Sequence, residues 1–276
     1  MINAVGNRMT REIARQQSLA EQVERTQIQI STGNKLLRAS DDAAASHRIA
    51  TIGKAQASMD SWSANINSAR ALVSQADGVM KSVSNLLTRA RELTLSAANS
   101  STNPADRATI AAELTGIADE LDSLAAMRDS NGEPLFAAGN ARVMRFDSDV
   151  SFAPVISAAD AFVVGGNSLS TGLRDAAAAV AAGDTAAIGA SLTTLSTAIG
   201  HVADQHALLG LSAGRLERIG DGLASRAITI ADERSAIEDT DLSVAIALLN
   251  AQNLTLEAAQ MAFARINRQT LFDILN

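Results

Sequence analysis

The 276-residue chain has no cysteine and no tyrosine, one tryptophan and three prolines. Without thiols there is no disulfide scaffold and no thiolate metal site, and cysteine usage says nothing about compartment. Aromatic residues are 3% of the chain although hydrophobic residues are 47%. A globular core of this size usually spends more area on large aromatic rings. Alanine, leucine and isoleucine carry the apolar load instead, which suits close helix–helix packing better than a sheet core. Basic residues are outnumbered, giving a net charge of −7. An acidic chain without a basic block is poorly suited to nucleic acid or to anionic membrane surfaces. The opening MINAVGNRMTREIARQQ lacks the apolar core of a secretory signal. No stretch approaches the ~20 apolar residues expected of a membrane span, so no membrane insertion is expected.

What is present is seven-residue periodicity. Ile52, Met59, Ile66, Val73, Met80 and Leu87 recur at steps of seven. A companion row holds Ala55, Trp62, Ala69, Ala76, Val83, Ala90 and Ala97. Such a and d positions predict one long coiled-coil helix over 42–99, with Trp62 in its core. A second series runs through Ile188, Leu195, Val202, Leu209, Leu216, Leu223, Ile230 and Ile237. Its length calls for a long partner, and the 52–97 helix is the obvious one, antiparallel to it. His206 falls on this seam, whereas His201 is expected to be solvated.

The two ends carry weaker seams. Ile2, Val5, Met9, Leu19, Val23 and Ile30 share a face over 2–31, but Glu12, Gln16 and Thr26 also point inward. Leu242, Ala245, Leu249, Leu256, Ala259, Phe263 and Ile266 form the seam of a last helix over 242–275. That helix has few charges, so it needs a partner, either 2–30 of the same chain or a neighbouring subunit. Leu271 continues its apolar character.

Between these segments, Asn103-Pro104 with Asp106 predicts the start of a third helix, reaching about Met127 and packing across the long helices. Asn131-Gly132 predicts a turn. Residues 142–147 and 150–164 are the β-like stretches, so 132–172 reads as a small β-rich insertion. Helical pattern returns at 173–182. The fold class is mainly α, a long antiparallel coiled-coil bundle formed by the N- and C-terminal halves. Residues 1–40 and 238–276 are its terminal helices, and 41–131 with 173–237 form a helical rod domain.

No catalytic arrangement is visible. There is no glycine-rich phosphate loop, and Gly33-Asn34-Lys35 lacks the preceding glycine and strand. His201 and His206 are five residues apart, which rotates them off a common helix face and disfavours a metal pair. Asp41-Asp42 and Glu238-Asp239 read as helix-start capping groups rather than a general acid and base. No enzyme and no cofactor are expected.

Several stretches together resemble the flagellin superfamily. They are Ser31-Thr32-Gly33-Asn34 followed by Lys35 and Ser40-Asp41-Asp42; Asp106-Arg107-Ala108-Thr109-Ile110 with Glu113, Leu121 and Ala125; Asn131-Gly132 with Leu135-Phe136; and the run from Ser235 to Asp241. Leu135-Phe136-Ala137-Ala138-Gly139, the segment from His206 to Gly210 with Arg215-Leu216-Glu217, and the ending Thr270-Leu271-Phe272-Asp273-Ile274-Leu275 are more similar to its hook–filament junction members than to filament flagellins. The resemblance implies a homo-oligomeric ring or polymer, exported by the flagellar type III apparatus with a chaperone. It also implies contact with hook-associated protein 1 on the hook side and with flagellin on the other. The terminal helices would assemble and the insertion would face outward. A short filament flagellin and an intracellular helical scaffold are the alternative readings. In the implied assembly the interface is carried by Ile2, Val5, Met9, Leu19, Val23, Leu242, Leu249, Leu256, Phe263 and Leu271.

Overall fold

The computed structural model describes the backbone of residues 2–99 and 103–274 and the side chains of residues 9–99 and 103–265. Among the described residues seven helices dominate: α1 (Ile2–Thr32), α2 (Ala43–Ala97), α3 (Pro104–Ala125), α4 (Ala158–Phe162), α5 (Leu169–Ala182), α6 (Thr185–Glu238) and α7 (Leu242–Ile274). Local chemistry sets their ends. The Asp42 carboxylate accepts the Ala45 N–H at 2.9 Å and starts α2. Asn103 caps α3, with Pro104 in its first turn. Gly183, left-handed at φ 70°, ends α5. The Asp184 carboxylate then accepts the Ala186 and Ala187 N–H groups at 3.0 and 3.1 Å to open α6. Asp241 does the same for α7 through Ser243 and Val244. Glu238-Asp239 is therefore not a helix start as expected. Glu238 closes α6 in an ion pair with Arg234 at 2.6 Å, and Asp239 accepts a hydrogen bond from the Ser235 hydroxyl.

The chain divides into two compact units, Met1–Gln56 with Ala227–Asn276, and Ala57–Arg226. In the second, Ile66, Val73, Met80 and Leu87 of α2 are buried with their alanine and valine companions, while Trp62 is half-buried. Leu195, Val202, Leu209, Leu216 and Leu223 of α6 are buried as well. The helices run antiparallel: His206 Nε2 meets Asp77 Oδ1 at 2.6 Å, and farther along α6 Gly220 faces Arg70, earlier on α2. His206 thus sets a polar cross-link at the seam edge instead of a buried group. By length and composition part of α6 could cross a membrane, which the sequence reading did not anticipate. In the structure its buried leucines form one packed seven-residue series, and Asp204, Arg215 and Arg218 interrupt its other faces.

Helix α3 pairs along α5, and its Glu113 takes the Arg89 guanidinium of the long helix α2 at 2.9 Å. Leu114, Ile117 and Leu121 are buried on α3, and Leu173, Ala176 and Val180 on α5. Small alanines on α5 permit the close approach. Arg174 holds Asp119 and Asp122 at 2.8 and 2.6 Å. A hydrogen bond from Ser170 and the Arg174 guanidinium keep the Asp122 carboxyl below its usual range.

The insertion contains two short hairpins, β1 (Met144–Arg145) with β2 (Ser151–Phe152) and β3 (Val163–Val164) with β4 (Asn167–Ser168). Helix α4 stands between them, because Ser157 caps it and Asp160 returns a side-chain bond. Helix α5 begins at Leu169, ahead of the expected Leu173. The insertion lies along α6. Asp147 pairs with Arg226 at 3.1 Å, the Phe152 ring sits 4.1 Å under the Arg215 guanidinium, and the Asp160 carbonyl meets His201 Nε2 at 2.6 Å. His201 is therefore engaged, contrary to expectation. Asn65 of α2 donates to the Arg145 carbonyl at 2.8 Å. Phe146 is fully buried against Phe152, their ring centroids 4.6 Å apart.

Candidate assembly interface

The first unit holds both terminal helices. Gly33, at φ 74°, turns the chain after α1. Lys35 N–H donates to the Glu238 carbonyl at 2.7 Å, and Thr240 N–H donates to the Gly33 carbonyl at 2.8 Å. This clasp sets the end of α1 beside the start of α7, and the two helices pack against each other. Thr26 Oγ1 donates to Gln252 Oε1 at 2.9 Å, and Gln16 Nε2 donates to the Ala259 carbonyl at 3.4 Å, so α1 and α7 are antiparallel. Of the polar residues that interrupt the α1 seam, Gln16 and Thr26 thus have partners on α7. Ile52 is buried in this unit, where Arg48 also pairs with Glu233 at 2.5 Å. Met59, buried in the other unit, completes the expected α2 seam.

The expected interface residues divide by position. Val23 is buried, and Leu19, Leu249, Leu256 and Phe263 are half-buried. Met9 and Leu242 are exposed. The side chains of Ile2, Val5 and Leu271 lie outside the described residues. Ala245, part of the α7 seam, is also buried.

A second row on α7 went unread in the sequence. Val244, Ala251 and Ala258 recur at steps of seven, and Ala247, Leu254 and Met261 follow three residues behind. All six are exposed, Val244 by 63% and Leu254 and Met261 by 67% each. The available signal was this second heptad, shifted by two positions, or about 200° around the helix, from the row facing α1. With Ile246 and Leu248 also exposed, α7 is apolar well beyond the stripe that α1 covers. A contiguous apolar surface of this kind marks an interaction site. Among the described residues no cluster of three or more His, Asp or Glu side chains could hold a metal ion.

The sequence matches the bacterial flagellin N-terminal helical region over residues 2–141 and the bacterial flagellin C-terminal helical region over residues 192–275. The chain belongs to the flagellin family. The α1–α7 pair joins the two flagellin regions, and the hairpins, α4 and α5 fall in the stretch that neither region matches. No curated protein shows a significant match to the chain. The fold is similar to that of a Vibrio parahaemolyticus protein described as flagellar hook-associated, with a TM-score of 0.65 and 20% identity, over 72% of this chain and 100% of that one. It is also similar to FlgL of Xanthomonas campestris, with a TM-score of 0.58 and 15% identity over 67% and 99% of the two chains. FlgL of Bacillus cereus gives a TM-score of 0.56 and 18% identity over 65% and 96%.

Proposed function

We propose that this flagellin-family chain is a structural subunit of the bacterial flagellum at the hook–filament junction. It assembles with further copies of itself, with hook-associated protein 1 on the hook side and with flagellin on the filament side. The observation that carries the assembly reading is the exposed second heptad of α7, from Val244 to Met261, on the face away from the row already paired with α1. A helix apolar on two faces offers one to its own chain and one to a neighbour. Residues 1–40 and 238–276 then form the assembly segment. Residues 41–131 and 173–237 form the helical body, and 132–172 faces away from the polymer interior. Export through the flagellar apparatus with a chaperone, and an extracellular location, belong to the same reading.

The junction position is favoured by Leu135-Phe136-Ala137 and the Leu271-Phe272-Asp273 ending. Similarity in fold to hook-associated structures is consistent with it. The small size of the 132–172 insertion favours the second reading, a short filament flagellin. Imaging a strain that lacks the gene separates the two. Bare hooks with flagellin released into the medium support the junction role. Hooks bearing stubs or altered filaments support the filament role and overturn the first.

A further inference from the structure

Asn131-Gly132 is the one Asn-Gly pair in the sequence. Asn131 is exposed, and among the described residues its side-chain amide has no hydrogen-bond partner. Gly132 sits at φ 81°, in the left-handed region that glycine adopts without cost. The turn therefore requires glycine at the position where a missing side chain leaves the backbone nitrogen least shielded. The space around Gly132 is open, with no atom within 4 Å of where a Cβ would stand.

We propose that Asn131 is a self-modification site that converts to aspartate and isoaspartate in the folded chain. The Gly132 backbone nitrogen attacks the Asn131 side-chain carbonyl carbon and loses its proton to solvent. The Cγ–Nδ2 bond breaks, ammonia leaves, and a five-membered succinimide closes. Water then opens the ring at either carbonyl, giving aspartate or isoaspartate. Water is the sole co-reactant and no oxidant is needed.

The local structure sets both the rate and the consequence. The Gly132 N–H donates to the Asp129 carbonyl at 3.0 Å, so the turn must open before the attack. Among the described residues Asn103 precedes a proline, and the other exposed asparagines outside the helices precede residues with side chains: Asn34 before Lys35, Asn99 before Ser100, Asn140 before Ala141 and Asn167 before Ser168. Those side chains shield the attacking nitrogen. The product places a new carboxylate beside Asp129 and Glu133. The buried Asp129 carboxylate accepts the Asn131 and Glu133 N–H groups at 2.9 and 3.0 Å and pairs with Arg142 at 3.0 Å. Burial opposes the Asp129 charge, but Arg142 and these N–H groups outweigh it and hold the carboxyl below its usual range. A second carboxylate competes for Arg142, and isoaspartate lengthens the backbone inside the turn. This turn and Arg142 line a cleft of about 610 Å³ against Asn67 and Gln75 of α2, which conversion reshapes.

The test is incubation of the purified full chain at mildly alkaline pH, followed by peptide mapping and enzymatic methylation of isoaspartate. Amide-to-acid conversion is expected at Asn131 ahead of Asn34, Asn140 and Asn167, and faster again in urea, where the turn is open. Asn131→Gln, which would need a slower six-membered ring, is expected to abolish the acidic species while melting like the parent. Folded protein in which Asn131 stays intact, or converts no faster than the other three, overturns the proposal.

Discussion

Replacing Leu209 by alanine tests the α6 seam at its centre. Leu209 is 0% exposed, and so are Val202 and Leu216 one heptad away on either side. Three successive core positions without accessible surface leave little freedom to collapse into the space of a lost isobutyl group. A buried leucine-to-alanine change costs about 2–5 kcal/mol, the larger values belonging to sites that cannot relax. Leu209 belongs above the low end of that range, roughly 3–4 kcal/mol. In a unit of this size each kcal/mol moves the midpoint by about 2–4 °C, so a drop of roughly 6–16 °C is expected. Far-UV circular dichroism during heating measures it. Leu211→Ala is the control: it lies two residues away on the same helix and is 69% exposed. Its effect should stay within about 0.5 kcal/mol. If Leu209→Ala melted within about 2 °C of the parent, or if both variants shifted alike, the packing of α6 described above would be wrong.

Gly183→Ala should destabilise by about 1–2 kcal/mol, because the left-handed position disfavours a Cβ. An added Cβ would also lie 3.2 Å from the Arg107 guanidinium. Gly189→Ala, inside α6 and in open space, should instead be neutral or stabilising by up to ~1 kcal/mol, and urea titration of both variants reads the contrast. At Asp147, burial opposes the charge, yet the Ser148 N–H and the Arg226 guanidinium outweigh it and hold the carboxyl below its usual range. A lowered folded pKa means that this contribution is present above the unfolded value of about 3.9 and lost as pH falls through the lower folded value. Hydrogen-exchange protection over 147–160, referenced to the intrinsic rate at each pH, should therefore fall on acidification, and Arg226→Gln should flatten that dependence.

The helices were legible because seven-residue steps leave little ambiguity. Ile52 through Leu87 and Leu195 through Leu223 are the residues that the structure buries. Caps were legible where one side chain decides them, as at Asn103 and Asp42. The β-like stretch 150–164 was harder. Its valines and phenylalanines favour strands, but Ser157 and Asp160 form a capping pair in its middle, and α4 divides it. The α1–α7 pairing was left between two partners, since a seam interrupted by Gln16 and Thr26 does not name what faces it. Their partners on α7, Gln252 and the Ala259 carbonyl, lie more than two hundred residues away in sequence. The contacts of Arg215 and Arg226 with the insertion carry no local signal for the same reason.

The three ties between the insertion and α6 also limit which lengths of chain the protein can tolerate. From His201 to Arg226, α6 rises by about 38 Å at its usual 1.5 Å per residue. The segment from Asp147 to Asp160 can span at most about 45 Å when drawn out fully. It also spends part of that reach on the start of α4 and on packing Val155. The turn in which the Phe146 and Asp147 N–H groups both reach the Val150 carbonyl folds Asp147 back on Val150 and takes up the remaining slack. A deletion must therefore release Arg226 or His201, whereas added residues can bulge into solvent around Ser148 and Asp149 with all three ties intact. Length changes here are therefore one-sided: the insertion can grow outward without cost to its anchorage, but it cannot shorten.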